Sequence, residues 1–129
     1  MALNILVVDD SQIVRAVILK SLDLANVPVG QAYQAANGRE ALEILGRHWV
    51  DLVFADINMP VMGGAEMIEK MSQDGLLKSI PVVIVSTEGS VTRMEDLRAK
   101  GVRAYLRKPF KPEDIREVVD QVIEVRHAN

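Results

Sequence analysis

Short apolar runs alternate along this chain with longer stretches whose apolar residues recur at helical spacing. Such alternation is produced by βα units wound around a parallel sheet. Five runs read as strands: Asn4 to Val8, Val29 to Ala35, Asp51 to Ala55, Pro81 to Ser86 and Ala104 to Arg107. Three of them are continuous apolar stretches, as a sheet covered on both faces requires. The second is Gln-rich and predicts an edge position. Between the strands, Val14, Val17, Ile18 and Leu22 form one helical stripe, and Ile115, Val118, Val119, Val122 and Ile123 form a cleaner one at i, i+3, i+4, i+7, i+8. Ser11 suits the N-cap of the first helix, and Pro112 with Glu113 and Asp114 suits the first turn of the last. Gly38 and Gly101 mark turns. No repeat, low-complexity segment or linker stands out, and the connections need not exceed about eight residues.

Composition narrows the picture. A chain of 129 residues that is 49% hydrophobic can bury one core and has no room for two. The expectation is a single domain over residues 1–129. Lys and Arg number 15 against 18 Asp and Glu, for a net charge of -3, with no block of like charges. That balance argues against direct nucleic-acid binding. The absence of cysteine excludes disulfides, thiolate metal sites and cysteine nucleophiles. The opening stretch carries no basic leader, and its apolar run ends in Asp9 and Asp10, which predicts neither a signal peptide nor membrane insertion. A cytoplasmic location is the default expectation.

In an open parallel sheet, ligands collect beyond the carboxyl ends of the strands, where the strand order reverses. After the first strand come Asp9 and Asp10. The third ends at Asp56, the fourth at Ser86 and Thr87, and Lys108-Pro109 follows the fifth. Three carboxylates brought together repel one another unless a hard cation sits among them. Magnesium suits oxygen donors better than zinc, which favours the His and Cys that this chain does not place at its strand ends. Manganese is a possible substitute. A carboxylate beside such an ion can act as a nucleophile toward phosphorus and form an acyl phosphate, with Lys108 pairing with the phosphoryl oxygens.

These positions and their surroundings resemble the receiver domain of two-component response regulators over essentially the whole chain. The matching stretches are Ile5 to Ser11, Ala36 to Leu42, Asp51 to Pro60, Val82 to Ser86 and Tyr105 to Phe110. The resemblance implies a flavodoxin-like α/β fold, a doubly wound five-stranded parallel sheet of order 2-1-3-4-5 with five helices. It implies Asp56 as phosphoacceptor, Asp10 as a direct metal ligand, Asp9 as a ligand mainly through water, and the Asn58 backbone carbonyl as a further ligand. Lys108 corresponds to the lysine that pairs with the phosphoryl group, Ser86 to the hydroxyl that moves to bond it, and Tyr105 to the aromatic that changes rotamer with it. Thr87, Asn58 and Glu88 would modulate access to the site. Partners implied are a sensor histidine kinase or phosphotransfer domain upstream, and a downstream protein bound by the fourth helix, fifth strand and fifth helix. Such a domain is no enzyme beyond its own phosphorylation and dephosphorylation.

Two departures from the family pattern stand out. Met59-Pro60-Val61-Met62-Gly63-Gly64 lacks the carboxylate that often caps the third helix, which predicts a looser loop around an intact site. Thr87 stands where many relatives carry Ala or Gly, and a branched side chain there would narrow access to the phosphoryl group. His48 and His127 read as surface residues. Trp49 reads as a packing residue at the end of the sheet opposite the site. The six methionines read as core or loop. Arg93, Glu95, Asp96, Arg98 and Lys100 alternate in sign on the fourth helix, which fits a solvated face and a partner-contacting face equally well.

Three other functions compete. A phosphohydrolase of the haloacid-dehalogenase type would need a second Asp two residues after Asp56, where Asn58 stands. A flavin carrier would need a hydroxyl- and glycine-rich phosphate loop where Asp9-Asp10-Ser11 stands. A receiver that works without phosphorylation would show a broken acid set, and this one is complete. Within the receiver reading, Ser86-Thr87-Glu88-Gly89 and Tyr105 to Phe110 favour a chemotaxis or motility regulator, with a phosphorelay intermediate as the alternative.

Overall fold

The computed structural model describes residues 2–87 and 91–127, with the backbone alone at 91–93 and 124–127. The chain runs β1 (Leu3–Val8), α1 (Gln12–Leu24), β2 (Val29–Ala35), α2 (Gly38–Leu45), β3 (Leu52–Ala55), α3 (Gly64–Ser72), β4 (Val82–Ser86), α4 (Val91–Ala99), β5 (Val102–Arg107) and α5 (Pro112–His127). All strand pairs are parallel and the order is β2-β1-β3-β4-β5, the flavodoxin-like arrangement. The polar second strand lies at an edge, as its glutamines predict.

Successive residues of a strand face opposite sides of the sheet, and the core divides accordingly. Leu6, Val8, Val53, Ala55, Val82 and Ile84 point to one side, where Ala41 and Leu45 of α2, Met67, Ile68 and Met71 of α3, and Leu97 of α4 cover them. Ile5, Val7, Leu52, Phe54, Val83 and Val85 point to the other, under Ile18 and Leu22 of α1 and Ile115, Val119 and Val122 of α5. Being covered on both faces is why β1, β3 and β4 are apolar on both sides, apart from Asn4 near the start of β1 and Ser86 at the end of β4.

Four expectations are corrected. Val17 is 50% exposed, because α1 seats a narrow row through Ile18, Ser21 and Leu22, and Val17 lies about 100° around the helix from Ile18. Trp49 does lie at the far end of the sheet, but it is 64% exposed and packs into no core; its indole Nε1 donates to Asp51 Oδ1 at 2.9 Å. Gly38 is no free turn residue but the first residue of α2, capped by Asn37, whose side chain accepts the Glu40 amide at 2.9 Å. The spacing Asn37-x-x-Glu40 is itself an N-terminal helix signature in the sequence. The fourth correction, to the loop before α3, concerns the site itself. Gly101 is a turn residue, at φ 109.

Candidate functional site

Strand order reverses between β1 and β3: the chain leaves β1 for β2 on one side and returns to β3 on the other. Each acid continues its strand by one bond. The Asp9 amide donates to the Ala35 carbonyl at 3.0 Å, and the Asp56 amide to the Val8 carbonyl at 3.0 Å. The sheet itself therefore delivers both residues to the crevice at the switch point. Ligand oxygens of Asp9, Asp10 and Asp56 all lie within 4.8 Å of one another.

Asp9 is buried, at 2% exposure. Its Oδ1 accepts the Ser11 amide at 2.9 Å while Ser11 in turn caps α1, its hydroxyl accepting the Val14 amide at 3.3 Å. Asp9 Oδ2 accepts Lys108 Nζ at 3.1 Å, and the same ammonium stands 3.6 Å from Asp56 Oδ2. Lys108 is set by its own backbone, since its amide donates to the Ser86 carbonyl at 3.0 Å. Asp56 Oδ1 accepts the Ile57 amide at 2.7 Å. Burial pushes the Asp56 carboxyl above its ordinary value, against the opposing pull of Lys108 and of the Ile57 amide. Asp10 is exposed at the rim.

Around this centre, Ser86 is buried and Tyr105 half-buried, with the Tyr105 hydroxyl donating to the Ser86 carbonyl at 3.2 Å. That carbonyl thus links Tyr105 and Lys108. Asn58 and Thr87 are both exposed. Glu88 lies outside the described residues, as do the side chains of Arg93 and His127. His48 is exposed and stacks on Tyr33, with centroids 4.7 Å apart.

The loop from Asp56 to α3 is tight rather than loose. Gly63 caps α3 with no side-chain bond, and the Gly64 amide donates to the Ile57 carbonyl at 2.8 Å. A Cβ on Gly64 would run into the Asp56 carbonyl, and one on Gly63 would stand 2.7 Å from the Ile57 carbonyl. Glycine here replaces the capping carboxylate by allowing the backbone to close on itself. Val61 sits at φ 68 in a three-residue turn closed by the Met62 amide on the Pro60 carbonyl at 2.7 Å. Such a conformation is strained for a β-branched residue. The Met62 carbonyl then accepts the Gly38 amide at 2.8 Å, tying the loop to α2.

One residue beside the acids escaped sequence reasoning. Arg15 of α1 donates from Nη1 to the Asp9 carbonyl at 2.6 Å and from Nε to Gln34 Oε1 at 3.0 Å. A lone arginine on a helix carries no spacing signal that would have marked it.

With the geometry in place, comparison with known proteins is specific. The response regulator receiver domain model matches residues 5–120. Two-component response regulator ORR11 of Oryza sativa is 36% identical over 121 residues, covering 93% of this chain and 80% of the relative. Chemotaxis protein CheY1 of Helicobacter pylori is 31% identical over 122 residues, covering 94% and 97%. Among solved structures, chemotaxis protein CheY4 of Vibrio cholerae superposes with a TM-score of 0.84 at 31% identity, over 95% of this chain and 99% of that one.

Proposed function

The chain belongs to the response regulator receiver domain family, and from that premise we propose that it is switched by transfer of a phosphoryl group from a phosphohistidine donor to Asp56. The observation that carries this reading is the meeting of Asp9, Asp10, Asp56 and Lys108 at one end of the sheet. A receiver domain is not a conventional enzyme. Its chemistry is its own phosphorylation and the loss of that group.

The donor set fits a hard divalent cation. All three side chains offer carboxylate oxygens, and these lie within 4.8 Å of one another, the hard donor type and the proximity that such an ion requires. Asp9, Asp10, Asp56 and the Asn58 carbonyl would hold Mg2+, or Mn2+ in its place. When bound, the ion neutralises charge on the phosphoryl oxygens.

In the transfer, an Asp56 carboxylate oxygen forms a bond to phosphorus as the P–N bond to the donor imidazole breaks. The imidazole nitrogen departs with the electron pair, and the product is an acyl phosphate. Lys108, held between Asp9 and Asp56, is placed to pair with the phosphoryl oxygens. Ser86 and Tyr105 serve as the switch: the Ser86 hydroxyl bonds the phosphoryl group, and Tyr105 reorients beside it. The altered face lies on α4, β5 and α5, where a downstream protein would bind. Asn58, Thr87 and Glu88 govern access of water or a phosphatase. The likeness to CheY1 supports a motility-type output. The likeness to rice response regulators supports the switch without the motility element, and a phosphorelay intermediate is the second reading.

Among the described residues, no helix is long and apolar enough to cross a membrane. Intact-mass spectrometry after incubation with acetyl phosphate and Mg2+ tests the proposal. One phosphoryl group should add to the wild type and none to Asp56→Asn. Equal modification of both proteins would overturn the assignment of Asp56, and modification in EDTA would overturn the role of the metal.

A further inference from the structure

Three carboxylates form the acid cluster, but only two are held by their own oxygens. Asp9 is fixed by the Ser11 amide and Lys108, and Asp56 by the Ile57 amide and Lys108. Among the described residues, no hydrogen bond or ion pair holds the Asp10 carboxylate, and Asp10 is exposed. Where that carboxylate stands is therefore set by its backbone, which begins at the Asp9–Asp10 peptide.

The carbonyl of that peptide is the one Arg15 grips at 2.6 Å, while the other arm of the same guanidinium reaches Gln34 on the edge strand at 3.0 Å. Gln34 lies opposite Val7 in the β1–β2 register, so it belongs to the rigid sheet just before the acids. A planar guanidinium with both arms engaged fixes direction as well as distance. Arg15 is half-buried and rooted in α1 one turn after the Ser11 cap. The clamp thus joins α1, the end of β1 and the edge of β2 at the peptide between two candidate metal ligands.

Charge alone would argue against placing an arginine here. A guanidinium bonded to the main chain of Asp9 lies well within a Debye length of the acid cluster, about 8 Å at physiological salt, and repels a cation bound there. What it supplies in exchange is geometry. We propose that Arg15 is a positioning residue of the acid cluster, which through Gln34 orients the Asp9–Asp10 peptide so that the Asp10 carboxylate faces Asp9 and Asp56. The proposal rests on the reading of this cluster as a divalent-cation site.

The two contributions have opposite signs, which makes the test decisive. Mg2+ is added to the full chain and followed through the backbone amide shifts of Asp10 and Ile57, with thermal unfolding as a check on the fold. Outer partners that orient metal ligands typically contribute 10- to 100-fold in affinity, so Arg15→Ala should bind Mg2+ roughly tenfold more weakly. Arg15→Lys, which reaches only one of the two acceptors, should recover part of the loss. Gln34→Leu keeps the charge and cuts the outer arm, and should show a smaller weakening. Equal or tighter binding by Arg15→Ala, the result that charge repulsion alone gives, would overturn the proposal. If Arg15→Ala does not fold, unchanged affinity in Gln34→Leu overturns it instead. A wild type with no saturable response to Mg2+ sinks the cation-site reading and this proposal with it, whereas a binding wild type beside an unaffected variant sinks the proposal alone.

Discussion

The Lys108 ammonium and the Asp9 carboxylate, 99 residues apart in the chain, meet at 3.1 Å beyond the end of the sheet. Asp9 is 2% exposed and Lys108 21%. The lysine acts as a built-in cation for an acid cluster that would otherwise repel itself, and it holds oxygens that the proposed divalent ion would need.

Lys108→Met should therefore destabilise the metal-free protein at neutral pH, by on the order of 2 kcal/mol, because a charge-assisted bond to a buried carboxylate is lost. Added Mg2+ takes over the neutralising role. The rise in melting temperature on adding Mg2+ should be larger for Lys108→Met than for the wild type. Equal rises in the two proteins would show that the lysine and the ion do not share a position.

Asp56 makes a prediction about pH. Its folded-state pKa lies above the ordinary 3.8, chiefly through burial. Between those two values the native state holds a proton that the unfolded chain has released, so stability falls as pH rises through that window. Above that window the cost of burying the charged carboxylate is fully present. Asp56→Asn should consequently be more stable than the wild type at pH 7 without metal, and the gain should disappear as pH falls below 3.8. Urea midpoints measured across this range check it. A gain independent of pH would point away from Asp56 ionisation.

The turn at Gly64 predicts a steric effect. A methyl there would overlap the Asp56 carbonyl and stand 3.2 Å from Ile57 Cα. Overpacking of this kind costs about 1–3 kcal/mol. Because the displaced atoms belong to the proposed phosphoacceptor, Gly64→Ala should also slow phosphorylation by acetyl phosphate. Gly75→Ala is the control, since an added Cβ there meets nothing within 4 Å. Chemical denaturation and the initial rate of mass increase read the two effects. A Gly64→Ala protein as stable and as fast as wild type would mean that the loop closes less tightly on Asp56.

Much of the site was legible in the sequence because its placement follows from chain-local rules. A strand ends where its apolar run ends, so Asp9, Asp10, Asp56 and Lys108 were marked by position alone, and Ser11 and Pro112 by helix-terminus chemistry. The alternating runs likewise determined five strands, and the glutamines of β2 marked it as an edge strand. Tertiary structure decided how those ends meet and which surfaces close. The face of α1 that carries Val17 opens to solvent because the single seated row is complete without it, and no periodicity specifies how wide a groove the sheet and α5 leave. Gly63 and Gly64 in place of a capping carboxylate predict a looser loop, yet the path of the loop brings two carbonyls against them. The Tyr105 bond to the Ser86 carbonyl and the Arg15 grip on the Asp9 carbonyl were invisible for the same reason. A main-chain carbonyl has no identity in a sequence, and its partner is decided only when crossovers bring a distant side chain within reach of it.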